Sequence, residues 1–125
     1  MLKLDRMEHI REEVELPSGE VLKIDCNVEL LLPDLLKAWA DIAAIAESMK
    51  HSNDYSRRGE FYAAYTKLIR MVVGSENYSK IVGDYDGDMG EIAELFSPWV
   101  MDVVMPTITR ASKRNFEREK RRSKR

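Results

Sequence analysis

A chain of 125 residues with 44% hydrophobic and 34% charged side chains has the size and composition of one ordinary folded domain, and is too apolar for wholesale disorder. The single cysteine, Cys26, excludes an internal disulfide and a thiol-based zinc cluster. The net charge of −2 hides a split: residues 110–125 hold nine Lys or Arg against two Glu, a net of +7, which leaves −9 on residues 1–109.

Val14-Glu15-Leu16 and Val21-Leu22-Lys23-Ile24 alternate apolar and polar residues around Pro17-Ser18-Gly19-Glu20, where Pro fixes φ and Gly is free to turn. The pattern predicts a β-hairpin over residues 10–25. Two strands alone are marginal in water, so the hairpin must pack on helices or extend another sheet. From Asn27, a natural N-cap, the positions Val28, Leu31, Leu32, Leu35, Trp39, Ile42, Ala46 and Met49 follow one helical face and predict a helix over 28–50. Pro33 inside that span would remove a backbone hydrogen bond, which offers the alternative of a short turn with the helix starting near Pro33.

His51-Ser52-Asn53-Asp54 reads as a loop before a second helix over 57–73, whose stripe is Phe61, Tyr62, Tyr65, Leu68, Ile69 and Val72. Gly74 stops it, Ser75 is expected to cap a third helix, and Gly83 is expected to end that one. After the acidic turn Asp84–Asp88 comes the most regular apolar pattern in the chain: Ile92, Leu95, Phe96, Trp99, Val100, Val103, Val104 and Ile108. Pro98 is expected to kink this helix or begin a new one, and Pro106 to bend the chain again. Beyond Arg110 the run is Lys/Arg-rich with Phe116 almost its only apolar residue, which predicts a projecting or fraying end. The sum is a mainly α (α+β) fold: a single domain over 1–109 with an N-terminal hairpin, a bundle of four to five helices, and a basic, partly disordered C-terminal tail over 110–125.

No motif of catalysis is present. There is no nucleophile elbow, glycine-rich phosphate loop or dinucleotide fingerprint, and His9 and His51 lack metal-ligand spacing. The acidic turn fails as a calcium loop, because counting from Asp84 the sixth position is Met89 rather than Gly and the twelfth is Leu95 rather than Glu; Asp86 or Asp88 is expected to cap the next helix instead. No catalytic residue, metal or cofactor is therefore expected. With no stretch approaching the ~18 apolar residues of a membrane span and no apolar signal core in residues 1–8, the expected compartment is the cytoplasm. What remains is binding. Leu95, Phe96, Trp99 and Val103 form the candidate partner-binding face, since their helix is more apolar than one small core requires. Arg118, Lys120, Arg121 and Arg122 are candidate electrostatic contacts, either to an acidic protein or, as an alternative function, to nucleic acid as a small regulatory factor.

Ile69-Arg70-Met71-Val72-Val73-Gly74, Tyr85-Asp86-Gly87-Asp88, and Phe96-Ser97-Pro98-Trp99-Val100-Met101-Asp102-Val103-Val104-Met105-Pro106 followed by the basic end make a pattern that resembles the tail assembly chaperones of long-tailed bacteriophages and prophages. The resemblance covers about residues 60–125 and rests on a pattern rather than a diagnostic motif. It implies a non-enzymatic, self-associating protein in the host cytoplasm that coats the tape measure protein and helps tail tube subunits assemble around it. It also implies a longer form made by ribosomal frameshifting.

Overall fold

The computed structural model describes residues 1–52 and 55–123. Strands β1 (His9–Glu15) and β2 (Val21–Asn27) pair antiparallel, with Ile10 opposite Cys26, Glu12 opposite Ile24 and Val14 opposite Leu22 on one face. The turn closes through Gly19 N donating to Leu16 O at 2.8 Å and Leu16 N donating to Glu20 O at 2.8 Å. Gly19 sits at φ 93°, a conformation that suits glycine at the end of a three-residue hairpin loop. On the outer face Arg11 opposes Asp25 and Glu13 opposes Lys23, so the exposed side is charge-paired across the strands. The hydrogen bond to His9, 2.9 Å away, and then the Arg11 charge hold the Asp25 carboxyl below its ordinary value of 3.8.

The hairpin buries Ile10, Leu22, Ile24 and Cys26 against helices α2 (Arg58–Val73) and α3 (Ser75–Asp84). Polar ties fix its position on α3: Ser18 N donates to Asp84 Oδ2 at 2.9 Å, Asn77 Nδ2 donates to Lys23 O at 2.9 Å, and Lys80 Nζ lies 3.2 Å from Glu20 Oε1. This docking supplies the apolar cover that two strands cannot provide for themselves.

Helix α1 (Leu32–Ser52) starts four residues later than the span from residue 28. Asn27 Oδ1 instead accepts from Leu30 N at 3.3 Å, capping a turn that precedes the helix. Pro33 then falls in the first helical turn, where its missing N–H costs no helical hydrogen bond. His51 and Ser52 belong to the end of α1 rather than to a loop, and Asn53 and Asp54 lie outside the described residues. A 3₁₀ turn (Tyr55–Arg57) leads into α2, and Arg57 braces the join by donating to Ser48 Oγ at 2.8 Å and to Glu60 Oε2 at 2.8 Å.

Helix α2 is the centre of the bundle. Its Leu68, Ile69, Val72 and Val73 are buried among α1, the hairpin and α3, and it also packs on helix α4 (Met89–Trp99). Gly74 separates α2 from α3 at φ 88°, ψ 153°, a region open essentially to glycine alone. Gly74 itself occupies the cap position of α3, so Ser75 is the first helical residue and makes no side-chain cap; Gly83 lies inside the last turn rather than after it. Two left-handed residues, Asp86 at φ 52° and Gly87 at φ 74°, then reverse the chain. Asp88 Oδ1 accepts from Glu91 N at 3.0 Å, capping α4 as a short acidic side chain does at a helix N-terminus.

From Met89 onward the chain stays helical through both prolines: α4, a π turn (Val100–Val104), and α5 (Met105–Ser123). Pro98 lies inside α4 rather than starting a new helix, and a π turn separates it from Pro106 in the first turn of α5. In a regular α-helix the Pro106 ring would press on the carbonyl four residues back, and a wider turn at that point moves it away. The basic run is correspondingly not a detached tail. Helix α5 crosses the expected boundary at residue 109 with Thr107, Ile108 and Ala111 buried on either side of it, and runs to Ser123, beyond which Lys124 and Arg125 lie outside the described residues. The fold is thus a mainly helical α+β bundle with an N-terminal hairpin.

Candidate interaction surface

The stripe Leu95, Phe96, Trp99 and Val103 does not present a single face. Phe96 is buried, Leu95 is 56% exposed, and Trp99 and Val103 are half-buried. The Trp99 ring stands edge-on to Phe96 with centroids 6.0 Å apart, and its Nε1 is buried without a hydrogen-bond partner among the described residues. The polar edge of the indole thus faces the protein, so Trp99 is mainly packing. Leu95 and, six residues on, Met101, 51% exposed, are the large hydrophobic side chains that this region exposes.

The basic run is also divided. Arg110, Arg114 and Arg118 follow one another at four-residue spacing on α5 and turn towards acidic groups at the start of the chain. Arg110 Nε lies 3.7 Å from Glu8 Oε1, Arg114 Nη2 donates to Asp5 Oδ2 at 2.8 Å and to Arg6 O at 2.7 Å, and Arg118 Nη1 donates to Glu29 Oε1 at 2.5 Å. Glu29 has a side chain only 4% exposed and its other oxygen accepts from Glu8 N at 2.5 Å. Of the other expected electrostatic contacts, Arg122 pairs with Glu119 at 3.3 Å on the surface, and Lys120 and Arg121 are exposed.

A different surface is left open. Helices α1 and α5 meet along a groove of about 550 Å³ lined by Leu36, Trp39, Met105, Ile108, Thr109, Ser112, Lys113 and Phe116. Phe116 is 69% exposed and Leu36 is 41% exposed. On α1, Leu36, Ala40 and Ala43, all exposed, continue the apolar strip at three- and four-residue spacing. Lys113 is the one charged group in the lining, and it forms no ion pair among the described residues.

Comparison with known proteins finds no matching family model, no matching curated protein and no matching solved structure.

The remaining chemistry-bearing residues have structural roles. Asp84 and Asp88 of the acidic turn accept backbone hydrogen bonds, and among the described residues no three His, Cys, Asp or Glu gather into a metal-holding group. Burial pushes the Cys26 thiol up from 9.0 to about 11, with a smaller push from the Asp25 charge, which suppresses the reactive thiolate. No described helix is long and apolar enough to cross a membrane. Two signals in the sequence pointed to the groove: a lone Phe116 in a charged run, and Leu36 lying off the apolar face of α1.

Proposed function

We propose that this protein works without catalysis as an assembly chaperone of the phage-tail type it resembles, holding helical segments of its clients in the groove between α1 and α5. The observation that carries the reading is the groove itself. A 125-residue chain with a filled core still leaves an aromatic, an aliphatic and a strip of alanines uncovered side by side, and contiguous apolar surface of that kind marks a binding site. The clients implied by the resemblance are the tape measure protein and the tail tube protein, in the host cytoplasm, with self-association of the chaperone.

The alternative, a nucleic-acid-associated factor, is weakened by the use of Arg110, Arg114 and Arg118 in contacts with Asp5, Glu8 and Glu29, which leaves fewer cations for phosphates.

Co-expression with a tape measure protein of a long-tailed phage tests the reading. The two proteins should co-purify, and Phe116→Ala should reduce the recovered complex while leaving the circular dichroism of the chaperone unchanged. Failure of the unaltered pair to associate would sink the proposal.

A further inference from the structure

Lys113 gives the groove a chemical preference. The described cations of α5 are mostly compensated: Arg110, Arg114 and Arg118 by Asp5, Glu8 and Glu29, and Arg122 by Glu119. Lys113 has no such partner among the described residues, and it stands in the lining beside Phe116 with no carboxylate in that lining. A partner that covers Phe116 and Leu36 comes up against this exposed ammonium. Leaving it desolvated and unpaired would oppose binding, whereas a carboxylate placed opposite converts that cost into an attraction.

We infer that the groove takes a helix whose bulky apolar side chains, at three- and four-residue spacing, are flanked by carboxylates, one of which meets Lys113. This rests on the reading of the groove as a client site and adds the chemistry of the client. The two helices form a trough whose floor is Trp39 and Ile108, with Leu36 and Phe116 at its rims. Apolar residues of an incoming helix supply affinity there, and charge supplies the selection. A basic amphipathic helix of equal apolar content is disfavoured by Lys113.

Two synthetic helical peptides with the same leucine pattern, one flanked by Glu and one by Lys, measured by fluorescence anisotropy against the full chain, test this directly. The Glu peptide should bind about fivefold or more tightly than the Lys peptide, as expected for one attraction gained and one repulsion avoided. Lys113→Glu should reverse that order, and Phe116→Ala should weaken both peptides by about tenfold or more. The Glu preference should shrink with added salt. Equal binding of both peptides, unaltered by Lys113→Glu, would overturn the charge selection and leave the groove as a client site. Binding of neither peptide to a folded chain would overturn the groove reading itself. Concentration-dependent dimerisation of the chain that Phe116→Ala abolishes, with no peptide binding, would assign the groove to a second copy and overturn the client.

Discussion

Arg118 and Glu29, 89 positions apart in the chain, are joined by a 2.5 Å hydrogen bond between Nη1 and Oε1, and this contact makes the basic segment part of the fold. The carboxylate is almost wholly covered while the guanidinium remains about one-third exposed, so the two substitutions have unequal effects. Arg118→Met should destabilise the chain by about 1–3 kcal/mol in urea denaturation, because it strands a covered carboxylate. Adding Glu29→Gln to that variant should recover part of the loss. A double variant no better than Arg118→Met would mean that the two residues act independently.

Ending the chain after Thr109 should lower the melting temperature substantially or prevent folding. That cut removes Ala111 from the core and releases the partners of Asp5, Glu8 and Glu29. An unchanged melting temperature would show that α5 adds nothing to stability beyond its first turn.

Gly74→Ala should cost about 1–3 kcal/mol, since φ 88° and ψ 153° lie where a Cβ is strained. The space around the position is open, so the loss would come from the backbone alone. Thermal unfolding of the variant beside Gly59→Ala, a helical site with equally open surroundings, separates the two: the second should be neutral or slightly stabilising.

Cys26 should react with a thiol reagent at neutral pH far more slowly in the folded chain than in denaturant. Its folded pKa of about 11 lies above the unfolded value near 9.0, so the unfolded state loses its proton first as pH rises. The stability held by the protonated thiol is therefore complete below about pH 9 and is lost progressively up to about pH 11. Cys26→Ala should remove this part of the alkaline dependence, at the expense of a small cavity beside Ile10.

The hairpin and the positions of α2 and α4 were legible because their evidence is local: a turn between alternating runs, a stop at Gly74, a cap at Asp88. The face of the last helical run was not, and Phe96, Val100, Val104 and Ile108 explain why. All four are buried at successive spacings of four. In a straight α-helix each such step drifts about 40°, so the row would turn about 120° away from the core. The π turn at Val100–Val104 absorbs the drift, and with it the side of α5 that faces solvent changes. Periodicity alone assigns the apolar residues to a face without saying that the helix must widen to keep them there. The contacts of Arg110, Arg114 and Arg118 were illegible for another reason: their partners lie around a hundred residues away, beyond the reach of any local pattern.

Because α5 clamps the first residues of the chain, maturation during synthesis has a defined order. The hairpin, α1 and α2 can assemble as they leave the ribosome, but Glu8 and Glu29 acquire their cations only after Arg114 and Arg118 have emerged, and long loop closure comes late on entropic grounds as well. Until then one wall of the groove does not exist. On the proposed function, a nascent copy gains its groove, and with it the ability to hold a client, only once α5 has formed.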